Sequence, residues 1–201
     1  MSSADDWRRI HQKSELAYQQ RSNWRFSANW HKIVAAAFEY AGVGLTDFAG
    51  KIVIDIGAGP RSFCEELEGC NAFLVEPLAK SYMKFNHEVY QISQVRKVFA
   101  LPAEKTISQL ENQADLVWCW NVLDHCFSWR VALLNILKYL KLGGVAIIFT
   151  DIGKKPEIGH PGIQSLDLVV RCLAANNLTF FSVAQNRDSR WKFSHMLKVV
   201  K

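Results

Sequence analysis

The sequence predicts an α/β fold with a doubly wound, mostly parallel seven-stranded sheet, an antiparallel last strand and helices at the N-terminus. Short apolar runs alternate with stretches that can hold helices. The chain ends in two alternating apolar and polar runs, which indicate a hairpin. Its 201 residues suffice for one domain but not for two. We therefore expect a single domain over residues 1–201, with an N-terminal helical extension over 1–45 and a core over 46–201.

The sequence of the N-terminal extension predicts two amphipathic helices. From Asp5 to Gln20, and again from Ser27 to Tyr40, apolar and aromatic residues recur at helical spacing between charged residues. Gly42 and Gly44 follow the second pattern and end it.

Short runs of strand type predict the sheet. Five of them are apolar and lie at 52–56, 72–76, 97–101, 115–119 and 144–149. A helix over 163–175 follows a loop rich in Gly and Pro, and runs at 177–185 and 190–200 then flank the turn residues Asn186, Arg187 and Asp188. The hairpin makes the last strand antiparallel, whereas most dinucleotide-binding folds do not end in an antiparallel strand.

Composition excludes several classes of protein. With 49% hydrophobic and 21% charged residues the chain can bury a large core, which argues against long disorder. It has no window of eighteen apolar residues, and its first residues are polar and charged, so we expect a cytoplasmic protein without a membrane span.

The cysteines and the charge say less about function. Five cysteines, none in a C-x-x-C pair, suggest buried free thiols, and no set of side chains has metal-ligand spacing, so we expect no metal. The net charge of +5 is concentrated at the two ends of the chain. It could favour an acidic substrate or partner, although solvated surfaces account for it equally well.

A glycine turn with an acidic partner is the strongest local signal. Gly57 and Gly59 follow the first strand, where a ligand can approach the backbone at the start of a helix. The third glycine of a dinucleotide site would fall at Ser62, which disfavours a pyrophosphate and makes a nicotinamide oxidoreductase the weakest hypothesis. Asp55 suits a ligand with a cationic ammonium group, and Glu76, at the end of the second strand, suits a ribose diol.

Five stretches, in order, resemble the motifs of class I S-adenosylmethionine-dependent methyltransferases. They are IDIGAGP (54–60), VEP (75–77), LPAE (101–104), DLVWCWNVLDH (115–125) and ILKYLKLGGVAIIFT (136–150). The resemblance runs from about Lys51 to the C-terminus. It implies a Rossmann-like methyltransferase fold, S-adenosylmethionine as cofactor and S-adenosylhomocysteine as product.

The resemblance also implies a cofactor site. Asp55 and the backbone of Ile56, Gly57 and Gly59 would surround the methionine part, with Glu76 on the ribose. The other residues expected to bind the cofactor are Ala58, Pro77, Leu78, Ala103, Glu104 and Asn121.

Two departures from the family pattern affect that site. Arg61 stands where the family often has a third glycine, so it narrows the space beside the methionine carboxylate or gives it a charge partner. Pro102 replaces an Asp that often accepts from the adenine amino group. Adenine would then rely on the backbone N–H of Ala103 or Glu104, on packing by Leu78, or on water.

The residues expected to face the methyl acceptor lie at the ends of the fourth and fifth strands. Asp124 and His125 are a polar pair in an apolar run, and His160 lies in the loop after the fifth strand. Asp151, just after that strand, is a further candidate base. His125 could equally be a packing or capping residue.

We expect direct methyl transfer to a small-molecule acceptor. The alternatives are a methyltransferase acting on RNA, DNA or protein, and a non-catalytic subunit that binds the cofactor. Residues 1–32 could form a lid with Trp24 or Arg25 near the methionine carboxylate, or a surface for nucleic acid, or simply helices packed on the sheet.

Overall fold

One seven-stranded sheet organises the protein, for which a computed structural model describes residues 5, 7–21, 30–85, 90–155, 161–176, 178–185 and 194–201. The strands are β1 (Ile52–Ile56), β2 (Asn71–Val75), β3 (Val95–Phe99), β4 (Ala114–Trp120), β5 (Leu140–Asp151), β6 (Thr179–Gln185) and β7 (Ser194–Val200). Their order is β3-β2-β1-β4-β5-β7-β6. β7 is antiparallel to both neighbours and the other pairs are parallel, which confirms the predicted fold class.

Helices precede the sheet and connect some of its strands. They are α1 (Gln12–Arg21), α2 (Trp30–Ala41), α3 (Ala79–Phe85), α4 (Trp129–Tyr139) and α5 (Leu166–Ala174), and a π-helical turn, Trp7–His11, precedes α1. The helices predicted near the N-terminus and at 163–175 correspond to α1, α2 and α5, within a few residues where the chain is described. The predicted hairpin turn at 186–188 lies outside the described residues.

The helix expected directly after the glycine turn is absent, and a four-residue 3₁₀ turn, Phe63–Glu66, takes its place. The connection from Gly57 to Cys70 is close to the lower limit for a parallel crossover, which needs about a dozen residues or more. The glycine turn takes up the first part of it. The side chain of Ser62 then caps the 3₁₀ turn by accepting from the Cys64 N–H at 3.1 Å.

The two faces of the sheet bury two hydrophobic cores. Ile54 and Ile56 of β1 face a core shared with α4 and α5. Val53 faces a second core that holds Phe38 of α2 together with Trp118. This alternation is typical of a parallel strand covered on both faces. α2 is therefore part of a core, and the boundary expected at residue 45 stays a prediction.

All five cysteines are free, as the sequence suggested, and four of them are buried, Cys172 being partly exposed. Across the described ranges, no helix is both long enough and apolar enough to pass through a membrane.

Gly144 should be the most sterically restricted glycine at the start of β5. A Cβ atom there would lie 2.6 Å from the carbonyl oxygen of Ala114 and 2.9 Å from that of Lys141. Backbone atoms cannot rotate away, so Gly144→Ala should lower the free energy of unfolding by about 3 kcal/mol. Gly50→Ala is the control, because Gly50 has φ +74° and a Cβ there would meet no atom within 4 Å, so only about 1 kcal/mol of backbone strain is expected. Urea unfolding that ranks Gly50→Ala as the more destabilised variant would contradict this account.

Candidate active site

A cavity of about 640 Å³ opens at the carboxyl ends of β1, β2, β4 and β5, within the range of about 300–1,000 Å³ typical of small-molecule sites. Of the residues expected to bind a cofactor, those that line it are Asp55, Gly57, Ala58, Gly59, Glu76, Pro77, Leu78, Ala103, Glu104 and Asn121. The side chain of Ile56 instead packs in the core shared with α4. The geometry thus gathers nearly all of these residues, while their binding roles stay predictions.

The glycine turn needs its glycines for two reasons. Gly57 and Gly59 have φ of +71° and +57°, in the left-handed region that favours glycine. A Cβ on Gly57 would also lie 2.2 Å from Cγ2 of Val122. Because only a 3₁₀ turn follows, the loop lacks the aligned peptide dipoles of an α-helix that would attract a pyrophosphate.

Glu76 is buried directly after β2 and ties the glycine turn to that strand. Its Oε2 accepts from the Gly59 N–H at 3.0 Å and its Oε1 accepts from the Leu78 N–H at 2.8 Å. Burial, together with the nearby charge of Glu15, raises the pKa of Glu76 to about 7 despite these two hydrogen bonds. The second lone pair of each oxygen can still accept a ligand hydroxyl.

Asp55 is buried at the end of β1 and is held by Ser62, a residue to which the sequence pattern assigns no role. The hydroxyl of Ser62 donates to Asp55 Oδ2 at 2.6 Å. Burial raises the pKa of Asp55 to about 7, while the Ser62 hydroxyl and the Phe63 N–H oppose that rise. In the sequence, Ser62 is noted only as the position where a dinucleotide site would have its third glycine. The sequence does not show that its side chain reaches Asp55.

Glu104 offers a buried acceptor near the place where the family Asp is replaced by Pro102. Its Oε1 accepts from the Ser128 N–H at 3.0 Å. Its Oε2 is buried and has no hydrogen-bond partner among the described residues. Pro102, Ala103 and Glu104 all line the cavity, while Oε2 itself is enclosed by protein atoms.

Asp124 and His125 lie in a 3₁₀ turn, Leu123–His125, that follows β4. His125 lines the cavity, and its Nε2 is 3.4 Å from both Asp124 Oδ2 and Asn121 Nδ2. Asp124 is buried behind it and accepts from the Thr150 hydroxyl at 2.9 Å. Burial raises the pKa of Asp124. Asp124 is thus close to the imidazole and does not line the cavity.

The other candidates on the acceptor side lie elsewhere. Asp151 belongs to β5 itself, where its buried carboxylate forms an ion pair with Lys154, so it is not in the following loop as expected. His160 falls outside the described residues, as do Trp24 and Arg25, and their roles stay predictions.

The N-terminal segment, residues 7–21, forms the wall opposite the sheet edge. The indole N–H of Trp7 donates to the carbonyl of His125 at 2.7 Å. The rings of His11 and His125 are 5.2 Å apart between centroids, and both Trp7 and His11 are buried. Trp7 and His11 are the ends of the π-helical turn, a geometry often found at functional sites. Sequence did not single out His11, because its partner is far away in the chain.

Four rings form an aromatic column, Phe63, Trp118, Trp120 and Phe149, along another wall of the cavity. Trp118 and Trp120 are 5.0 Å apart between centroids with 8° between their planes, and Trp120 and Phe149 are 4.2 Å apart with 10°. Phe63 stacks on Trp118 at 4.6 Å. Alternate residues of β4 share one face of the sheet and Trp120 pairs with Phe149 of β5, which brings the rings together.

Among the cavity-lining residues that the structure describes, most charged side chains are carboxylates. Glu15, Asp55, Glu76 and Glu104 line the cavity, against Arg61 as the one Lys or Arg side chain among the described lining residues. Arg61 pairs with Glu65 and Glu66 beside the glycine turn. Within the part of the chain that the structure describes, no three His, Cys, Asp or Glu side chains cluster as metal ligands would.

Comparison with known proteins identifies the class. A family model of methyltransferase domains matches residues 23–189, most of the chain, so this chain belongs to that family. Fold and family together define a class I S-adenosylmethionine-dependent methyltransferase, which confirms the resemblance seen in the sequence. No curated protein sequence matches this chain.

Solved structures share the fold at low sequence identity. The 1,6-didemethyltoxoflavin-N1-methyltransferase of Burkholderia thailandensis, which holds 1,6-didemethyltoxoflavin and S-adenosylhomocysteine, is 15% identical with a TM-score of 0.69, over 99% of this chain and 90% of that one. The N-methyltransferase NodS of Bradyrhizobium japonicum, in complex with S-adenosylhomocysteine, is 16% identical with a TM-score of 0.65, over 94% and 97%. The [4+2]-cyclase SpnF is 12% identical with a TM-score of 0.67, over 97% and 96%. At such identities these likenesses show the fold alone.

The two buried carboxylates should make the ligand-free protein less stable as pH rises. Asp55 and Glu76 have a pKa of about 7 in the folded protein, above the ordinary values of 3.8 and 4.5. Their stabilising contribution is therefore complete below about pH 4 and is lost as pH rises through 7. Relative to wild type, Asp55→Asn and Glu76→Gln should lose less stability between pH 5 and pH 8.

Thermal unfolding without ligand measures this difference. Glu68→Gln is the control, because Glu68 is an exposed carboxylate, and it should follow the wild-type profile. If both buried variants keep the wild-type pH dependence, the carboxylates are not protonated in the folded protein at pH 5.

Proposed function

We propose that this chain transfers a methyl group from S-adenosylmethionine directly to a small molecule enclosed in the cavity. The observation that carries this proposal is the position of the N-terminal segment, which Trp7 ties to His125 over the carboxyl edge of the sheet. A wall on that side suits a small acceptor and leaves less access for a macromolecule. The Burkholderia thailandensis enzyme of the same fold, with its small-molecule acceptor bound, supports the assignment.

The residues around the glycine turn fit the cofactor. S-adenosylmethionine supplies a methyl group on a sulfonium sulfur, which a nucleophile can attack directly. The bare backbone at Gly57 and Gly59 leaves room for the methionine part, and Asp55 lies beside it with a carboxylate that suits an ammonium group. Glu76 would accept from the ribose hydroxyls with its remaining lone pairs.

Glu104 would recognise adenine through a hydrogen bond to its amino group. The Glu104 side chain lines the cavity, and its Oε2, which is enclosed in the ligand-free protein, has no partner among the described residues. A rotation of the carboxylate toward the cavity would let it accept from the adenine amino group. Pro102, which replaces the family Asp, can only pack against the ring. The proposal assigns the adenine amino group to a side-chain acceptor, whereas the sequence suggested that adenine relies on backbone N–H groups, packing or water.

His125 is the residue proposed to take the proton of the acceptor. Its imidazole lines the cavity, with Asp124 behind it and Asn121 beside it, both 3.4 Å from Nε2. Asp124 acts as a positioning residue, because its own carboxylate is fixed by Thr150. Orientation of the reactants alone can supply about 7–11 kcal/mol of the barrier, and the N-terminal segment assists it by excluding water.

Charge argues against a nucleic-acid acceptor. Proteins that bind nucleic acid neutralise phosphates with Lys and Arg, whereas carboxylates dominate the described wall of this cavity. No specific observation favours a protein acceptor or a non-catalytic subunit. The cytoplasmic location and the independence from metal stay predictions.

Replacing Glu104 should change how the protein distinguishes adenine from hypoxanthine. In S-inosylhomocysteine an oxygen replaces the adenine amino group, so it would face Glu104 Oε2 without a donor. We expect the wild type to bind S-adenosylhomocysteine at least about tenfold more tightly, since an unpaired buried group costs about 1–3 kcal/mol. Glu104→Gln should reduce the ratio, because an amide can donate to the oxygen.

Calorimetric titration of both compounds gives the two affinities. Glu66→Gln provides a matched control, because Glu66 pairs with Arg61 and is not among the cavity-lining residues. An unchanged preference in Glu104→Gln would show that another group reads the adenine.

The proposed activity can be tested with S-adenosylmethionine carrying a labelled methyl group. The purified protein is incubated separately with the small-molecule, RNA and protein fractions of a cell extract, and label is expected in the small-molecule fraction. With that acceptor, His125→Gln should lower kcat by about 100-fold, the range for loss of a general base. Its affinity for S-adenosylhomocysteine should change little, because His125 faces the acceptor.

Two results would count against this proposal. Label confined to RNA or protein would exclude a small acceptor, and tight binding of S-adenosylhomocysteine without transfer to any fraction would favour the non-catalytic subunit. Phe127→Leu, an exposed side chain outside the cavity lining, controls for general effects of substitution near the loop.

A further inference from the structure

The aromatic column gives the cavity a flat apolar surface. Trp118 and Phe63, at its inner end, are almost completely buried, whereas Trp120 and Phe149 are only half-buried. The three rings from β4 and β5 lie within 10° of parallel from one neighbour to the next. Trp120 is stacked between Trp118 and Phe149. The column therefore borders the cavity through the edge of Trp120 and through Phe149, against which a further planar ring can pack.

The opposite walls complete a site for a flat molecule. Trp7 of the N-terminal segment and Trp30 of α2 line the same cavity. His11 and His125 lie beside each other there, with 5.2 Å between ring centroids. The space is thus bordered by aromatic carbon and has imidazole groups at one place, where a nucleophile could lose a proton.

Charge narrows the chemistry of the acceptor. Arg61, the one basic Lys or Arg side chain among the described lining residues, lies by the glycine turn and pairs with Glu65 and Glu66. Among the described residues that line the cavity, no Lys or Arg lies beside the aromatic column to pair with a carboxylate or phosphate on the acceptor. Asp55, Glu76 and Glu104 are assigned to the cofactor, which leaves Glu15 of α1 as a carboxylate that an acceptor would meet in the described wall, so an uncharged or basic molecule is favoured.

Resting on the function proposed above, we propose that the methyl acceptor is an uncharged or basic planar aromatic molecule that packs against Trp120 and Phe149 and carries an N–H or O–H group. The nitrogen or oxygen of that group forms the new bond to the methyl carbon. The carbon–sulfur bond breaks with its electron pair going to sulfur, and the proton of the acceptor passes to the imidazole of His125.

Titration of small probes tests this acceptor class. The protein is first saturated with S-adenosylhomocysteine and then titrated with 5-hydroxyquinoline, 5-aminoquinoline, the uncharged saturated alcohol decahydro-1-naphthol or quinoline-5-carboxylate. The first two should bind at least about tenfold more tightly than the saturated and the anionic probes. Trp120→Leu should weaken them by about tenfold, whereas Trp120→Phe should keep most of the affinity because it retains a ring.

Phe127→Leu is the matched control, since it removes an exposed aromatic side chain outside the cavity lining. Affinity for S-adenosylhomocysteine, measured on every variant, separates the two proposals. If that affinity is intact and the saturated or anionic probe binds as well as the flat ones, or no flat probe binds, the aromatic acceptor is wrong while the proposed function stands. If the wild type binds no S-adenosylhomocysteine, the proposed function itself is wrong.

Discussion

The close contact between Gly57 and Val122 is the constraint on which the cavity depends. It packs the turn after β1 directly against the turn after β4, so the position of one loop depends on that of the other. Both turns pass through left-handed backbone, at Gly57 with φ +71° and at Asn121 with φ +56°. Their N–H groups donate at 2.7 Å to the ends of neighbouring strands, Val75 and Phe149 respectively. The floor of the site is therefore fixed by the sheet, and the loops cannot move apart without losing strand-end hydrogen bonds.

The buried carboxylates are placed at a cost to the ligand-free protein. Asp55 and Glu76 are almost completely buried, and their partners are a hydroxyl and backbone N–H groups. Such neutral donors offset burial only in part, which is why the pKa of each group is raised. A ligand with an ammonium group and hydroxyls would provide the missing compensation, as is usual where a site is built for binding at the expense of stability.

Sequence predicted those features that depend on local pattern. Apolar runs located the parallel strands, and the glycines with their acidic neighbours located the turn and Glu76. It did not predict side-chain contacts, such as Trp7 with His125 far along the chain or Ser62 with Asp55 across the glycine turn, because a linear pattern does not show which side chains meet. It also placed a helix after the glycine turn, where capping by Ser62 and the short connection leave room for one 3₁₀ turn.

The parallel packing of Trp118 and Trp120 also has an optical consequence. Two indoles with centroids 5.0 Å apart and planes 8° apart are close enough for their electronic transitions to couple. Coupled indoles produce a paired band of opposite signs in ultraviolet circular dichroism, which depends on the angle and distance between the rings. Trp120 borders the cavity while Trp118 is held in the core. A change in this paired band would therefore report a rotation of Trp120 relative to Trp118.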